Sequence, residues 1–279
     1  MSGALFYITA FLYLAATFVF IAYLVSHKDV LVKAGWWVLF AGLCFHTLTL
    51  GARWFEGGRL PITNLHESLS FLSWISVLAY AVIVYKYGLK VIGAFVAPFA
   101  FVFIVVAFLV PADMEPLRPM LDTYWLSVHI ALAVSGNAFF ALAFIFGLLY
   151  LVQNRHLKTH KLGGLYFALP SLEVIDELNY RCLSYGFPLL TLGIISGALW
   201  SQALIGEYWM WKHRQVWSLI TWFLYAALLH GRLIRGWRGK KSAVFSVAGF
   251  LVLLASTLII YLLLGEGHGF FNVMEDVTR

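Results

Sequence analysis

The sequence predicts an all-α, polytopic membrane bundle of about eight transmembrane helices, with residues 1–279 forming one membrane domain. Three observations predict it. Of the 279 residues, 62% are hydrophobic and 11% charged, with a mean hydropathy of +0.86, whereas soluble domains carry roughly 45–50% apolar and about 25% charged residues. The charges are segregated, so that residues 4–26, 91–110 and 242–264 hold no acidic or basic side chain, and each run can cross ~30 Å of hydrocarbon at ~1.5 Å per residue. The apolar runs are also continuous and lack the in-and-out alternation of barrel strands, so helices are expected.

Taken in order, the first span, 4–26, lacks a basic leader and is longer than the apolar core of a cleaved signal, so it is expected to stay. The second, 31–52, carries His46 within FHTLTL. Before the third, 68–85, stands PITNLHES: Pro61 and Asn64 mark a turn, and Glu67 suits the positive N-terminal end of a helix. His66 there reads as a structural joint or as part of a ligand site. The fourth span covers 91–110, and the fifth, 124–152, holds His129 in its first turns.

Between spans five and six, LPSLEVIDELNY places Leu172, Ile175 and Leu178 at helical spacing beside Glu173, Asp176 and Glu177. This pattern suggests a short amphipathic helix at the interface. Spans 183–204, 216–234 and 243–264 complete the set, with His230 near the end of the seventh and His268 just beyond the eighth. No repeat or low-complexity segment interrupts them. Cys44 and Cys182 are far apart and form no CxxC pair, which argues against a disulfide framework, zinc knuckle or thiol redox centre.

The net charge of +6 lies in the connections between spans, where it acts as a topology signal and not as a nucleic-acid-binding face. One side collects Lys28, Lys33, Lys86, Lys90, Arg155, Lys158, Lys161, Arg181, Arg232, Arg235, Arg238, Lys240 and Lys241; the other has Arg53, Arg59, Arg118, Lys212, Arg214 and Arg279. Thirteen against six puts the first set in the cytoplasm. Both termini and the connections around 53–67, 111–123 and 205–215 are then extracytoplasmic.

The richest of these connections lies in WSQALIGEYWMWKHRQVWSLITW, which holds Trp200, Tyr208, Trp209, Trp211, Trp217 and Trp222. Two readings stand open. Trp and Tyr concentrate at membrane interfaces because their rings are apolar with one polar atom. Here, however, the aromatics run through the connection itself, beside Lys212 and Arg214, as a platform for a planar ligand bearing carboxylates would. His129 and His268 flank that connection on the same side, and two neutral imidazoles across a porphyrin would make six-coordinate haem iron. His230 lies deeper, roughly 20 Å below by helical rise. It is a candidate because intramembrane ionisable residues mark function. His46 is its possible partner, at a different depth. His213, inside the aromatic connection, is a further possible ligand, whereas His27, His156 and His160 read as solvated surface residues.

These residues resemble the CcsA/ResC-type cytochrome c assembly proteins of the haem-handling group. The resemblance runs through HTLTLGARWFEGGRLPITNLHESLSFLSW, GAFVAPFA, LDTYWLSVHIALAVSGNAFFALAFIFGLLYL, LPSLEVIDELNYRCLSYGFPLLTLGIISGALW, WSLITWFLYAALLHGRLIRGWRGKKSA and GEGHGF. It implies a multi-pass protein of the bacterial cytoplasmic membrane that carries haem b outward and presents it on a Trp-rich loop. With a CcsB/ResB-type partner, it would attach the haem to the CxxCH cysteines of apocytochromes c. Such a chain would be a component of a haem lyase, with no nucleophile of its own.

By the same resemblance, His129 and His268 match the external haem-iron ligands and His230 the membrane-embedded one. Trp209 and Trp211 match aromatics of the WGxxWxWD signature, with Gly206 its glycine; Tyr208, Lys212 and Trp217 complete the expected cofactor-binding set. Ile205, Lys212 and Gln215 depart from that signature, replacing its first Trp, its Asp and the usual following Glu. The HemX-type proteins resemble the same scaffold and imply the alternative of a membrane regulator of haem synthesis acting on glutamyl-tRNA reductase.

Overall fold

A computed structural model describes residues 1–112, 123–159 and 167–263. Its helices are α1 (Ser2–Ser26), α2 (Asp29–Gly57), α3 (Leu65–Tyr87), α4 (Gly93–Leu109), α5 (Tyr124–Lys158), α6 (Leu172–Ile205), α7 (His213–Arg235) and α8 (Lys240–Leu263). With α4 taken together with the 3-10 turn Lys90–Ile92 that leads into it, all eight are long and apolar enough to cross a membrane. The chain is a multi-pass membrane protein, as its sequence predicts. Large apolar side chains such as Phe11, Phe18, Phe108 and Phe223 face outward from the bundle. In water that would be a liability; against lipid tails it costs nothing.

The core runs as one apolar cluster through both halves, from Tyr13, Phe20, Leu39 and Tyr80 among α1–α3 to Phe140, Phe146, Tyr225 and Phe250 among α5, α7 and α8. The α5–α6 pairing is the most extensive, followed by α1–α2. Small residues make the first possible. A β-carbon on Gly136 would lie 2.9 Å from the Leu190 nitrogen and 3.0 Å from the Gly186 oxygen, and one on Gly193 would lie 3.1 Å from the Ala133 nitrogen. Close backbone approach of this kind is how helices associate where lipid removes the hydrophobic drive between them.

Two ends result. At the aromatic end, the α2–α3 and α6–α7 connections gather with the start of α5, held by Ile62, Leu126 and Ile130 packed with Leu60, Phe71, Trp200 and Leu204. There Asn64 caps α3, its side chain accepting from the Glu67 amide at 2.8 Å. The buried Glu67 carboxylate receives Arg53 Nε at 3.0 Å and the Thr63 amide at 2.9 Å. His66 donates from Nδ1 to the Ala107 carbonyl at 2.8 Å, tying α3 to α4. The structural-joint reading of this segment therefore holds.

At the basic end, one expectation is corrected. LPSLEVIDELNY makes no separate interfacial helix; Leu172–Tyr180 is the start of α6, which continues unbroken to Ile205. No glycine or proline falls between 172 and 185 to break it. Its face is committed to the bundle, because Ile175, Leu178 and Asn179 are buried and Asp176 pairs with Arg232 of α7. At ~1.5 Å per residue α6 is about 50 Å long, so about four turns in all project past ~30 Å of hydrocarbon.

Candidate functional site

His129 stands in the second turn of α5, on the stripe that continues through Ala133, Gly136 and Phe140. That stripe faces Gly186, Leu190, Gly193 and Gly197 of α6. The imidazole lies in the groove these residues leave, with Nδ1 2.7 Å from the Gly193 carbonyl oxygen. A carbonyl can only accept, so Nδ1 carries the proton and the lone pair of the neutral ring resides on Nε2. No described residue hydrogen-bonds to Nε2.

The connection above it is built from the ends of α6 and α7. Gly206 ends α6 with φ 78, a left-handed conformation that glycine adopts without penalty. Ser201 Oγ donates to the Glu207 carbonyl at 2.7 Å and folds the chain back beside α6. Glu207 thus stands about one helical turn, ~6 Å, beyond the level of Gly197. On the α7 side, the Gln215 Oε1 accepts from the Met210 amide at 2.9 Å and the Lys212 amide at 3.4 Å. Between those two amides Trp211 is held at φ 53, which a residue with a β-carbon rarely adopts.

The aromatic display follows. Tyr208 is 58% and Trp211 73% exposed. Trp209 meets Trp211 edge to face, with ring centroids 6.1 Å apart, and its buried indole N–H has no hydrogen-bond partner among the described residues. Lys212 is the N-cap residue of α7, and Trp217 lies half-buried one turn further on. Trp200 donates to Thr123 Oγ1 at 3.0 Å, locking the end of α6 to the start of α5. Sequence reasoning missed Gln215 and the Gly193–Gly197 groove. The first had a signal, since Gln three residues after an N-cap position can reach back to the cap amide.

The other histidines separate by setting. His46 is fully buried, its Nδ1 bridged to the Tyr13 hydroxyl at 3.1 Å and its Nε2 to the Ser70 hydroxyl at 2.9 Å. Both ring nitrogens are engaged among α1, α2 and α3, while His230 lies on α7. Burial decides the engagement, because a histidine sealed from water must find partners for both nitrogens. His230 is exposed near the basic end of α7, and His213 is exposed at its start. His268 lies outside the described residues. Among the described residues no group of three or more His, Cys, Asp or Glu side chains converges on a common point.

Fold and site together define a polytopic membrane protein whose aromatic end holds one imidazole in the α5–α6 groove, with a tryptophan-bearing connection leaving the end of the same α6. Comparison with known proteins narrows the class. The family described as Cytochrome C assembly protein matches residues 62–267. The chain is 37% identical over 225 residues, 74% of its length and 75% of the relative's, to the cytochrome c biogenesis protein CcsA of Guillardia theta. It is 33% identical to the CcsA of Microcystis aeruginosa over 285 residues (84% and 86%), and 32% identical to that of Synechococcus elongatus over 279 residues (83% and 85%). The chain belongs to the cytochrome c assembly protein family, and its role lies in cytochrome c biogenesis.

Proposed function

We propose that this chain carries haem b to the extracytoplasmic face of a bacterial cytoplasmic membrane and presents it there for covalent attachment to apocytochromes c. It would do so as one component of a haem lyase, beside a CcsB/ResB-type membrane subunit. The observation that carries this reading is the state of His129: held in the α5–α6 groove with Nδ1 engaged at 2.7 Å, it has no described partner on Nε2, and the aromatic connection leaves the end of the same α6.

The residues present suit such a cargo. A single imidazole can ligate an iron whose four equatorial positions are filled by a macrocycle. The exposed Tyr208 and Trp211 rings offer a face for stacking, and the orphaned Trp209 N–H is a donor awaiting an acceptor, which a propionate carboxylate would supply. Lys212 adds a cation at the edge of the platform. His268, by its sequence pattern alone, is the candidate for the opposite axial position. Two axial imidazoles would leave the iron no open site until the apocytochrome's own histidine displaces one.

His230 supports a second, inner stage. It is exposed on α7 where lipid or another subunit would lie, so a partner chain could complete a site there. The excess of basic residues at that end supports its placement in the cytoplasm.

The test is deletion followed by complementation. Loss of all c-type cytochromes on deletion, restored by the natural chain and not by a His129→Ala variant, is expected. A normal c-type cytochrome content after deletion would sink the reading and favour a regulatory role.

A further inference from the structure

Gly193 and Gly197 sit one turn apart on α6, and they meet His129 in two different ways. Gly193 contributes its carbonyl, 2.7 Å from Nδ1, an oxygen that also accepts from Ser196 Oγ at 3.0 Å. Gly197 contributes space: a β-carbon there would lie 2.7 Å from both Cε1 and Nδ1 of the ring. Real β-carbons do not approach that closely, so any other residue at 197 must push the imidazole out of the groove. Little room exists for the ring to yield inward, because one turn below a β-carbon on Gly193 would already lie 3.1 Å from the Ala133 nitrogen.

We propose that Gly193 and Gly197 are positioning residues that fix the tautomer and direction of His129, so that Nε2 alone is presented to haem iron. The inference rests on the reading of His129 as a ligand. In metal sites, a ligating histidine generally donates its second N–H to a carbonyl or carboxylate, which orients the ring and raises its basicity. Here that carbonyl belongs to a neighbouring helix, so the aim of the ligand depends on the α5–α6 register, set by glycines that chemistry at the iron never touches.

The test uses the full chain purified with haem, read by its absorption spectrum. His129→Gly should abolish the low-spin signal of paired imidazoles. Added imidazole should restore it by binding in the vacated groove and donating its free N–H to the Gly193 carbonyl. 1-Methylimidazole has no N–H left once its other nitrogen ligates iron. It should therefore need about 10-fold more, the lower end of the loss seen when an outer-shell partner is removed, after normalising each to its affinity for haem free in detergent. Equal rescue by the two, or rescue by neither, would overturn the inference. A spectrum unchanged in His129→Gly would instead overturn the ligand reading beneath it. Gly197→Ala should also lose the low-spin signal, whereas Gly51→Ala, whose β-carbon meets nothing within 4 Å, should keep it. If Gly197→Ala fails to fold, the rescue comparison decides alone.

Discussion

Asp176 receives both terminal nitrogens of Arg232, Nη1 at 2.9 Å on Oδ1 and Nη2 at 2.8 Å on Oδ2. The pair is 14% and 7% exposed, Arg232 lies over the Tyr180 ring at 4.5 Å, and Asp176 also accepts from the Gly239 amide at 2.9 Å. One carboxylate thus fixes the start of α6, the end of α7 and the turn into α8. Removing one partner strands a buried charge, so Asp176→Leu or Arg232→Leu should each lower stability by about 3–5 kcal/mol. The double variant should recover much of that loss. Thermal unfolding in detergent checks both; a double variant as unstable as the sum of the singles would count against a direct pairing.

How much of this was legible in the sequence divides along a physical line. Span number and placement were legible because lipid imposes one rule on every residue of a span, and charge-free runs of about 20 residues are hard to mistake. The start of α6 was misread because Glu173, Asp176 and Glu177 look like one polar face, although Asp176 turns inward to an arginine 56 residues away. No local pattern encodes such a partner. His46 and His230 looked alike as intramembrane histidines; only packing shows that the first is used up by Tyr13 and Ser70 while the second is exposed. His129 was found through its aromatic neighbours in sequence, but the glycines that aim it lie more than 60 residues away on α6.

Gln215 should govern the shape of the aromatic connection. Its amide oxygen holds the Met210 and Lys212 amides on either side of the left-handed Trp211. Gln215→Ala removes both bonds, at a cost of about 1 kcal/mol each. Hydrogen exchange at Met210 and Lys212 should accelerate several-fold, while the core helices keep their protection. Gln215→Glu retains an acceptor at the same reach and should behave like the natural chain. Faster exchange in both variants would show that the side-chain oxygen is not what holds the turn.

Trp211 offers a complementary measurement with the opposite sign. A non-glycine residue in the left-handed region costs roughly 1 kcal/mol, and Trp211 is 73% exposed, so little packing is lost with its ring. Trp211→Gly should leave stability unchanged or raise it by up to about 1 kcal/mol, while haem affinity falls. Equal loss of stability and of haem binding would mean that the indole is structural.

Gly136 should be far less tolerant than Gly51. A β-carbon at 136 meets the Leu190 nitrogen and the Gly186 oxygen, both backbone atoms that no rotamer can move, so Gly136→Ala must separate α5 from α6. Overpacking of this kind costs about 1–3 kcal/mol. Gly51→Ala points into open space and should gain up to about 1 kcal/mol through helix propensity. Equal melting temperatures for the two variants would refute the close approach.

The histidines can be sorted into structural and functional by stability alone. His46→Ala leaves the Tyr13 and Ser70 hydroxyls unsatisfied in a water-free interior, and each stranded group costs about 1–3 kcal/mol. His66→Ala removes the tie from α3 to the Ala107 carbonyl, which still accepts from the Val110 amide at 3.2 Å, and loses a ring contact with Phe6 at 5.0 Å. Both variants should melt well below the natural chain. His230 is exposed, so His230→Ala should change stability by no more than about 0.5 kcal/mol, as ordinary surface substitutions do. If His230→Ala nevertheless stops cytochrome c assembly, the imidazole serves a ligand and not the fold. A His230→Ala chain as unstable as His46→Ala would assign His230 to helix packing and remove the inner stage of the pathway.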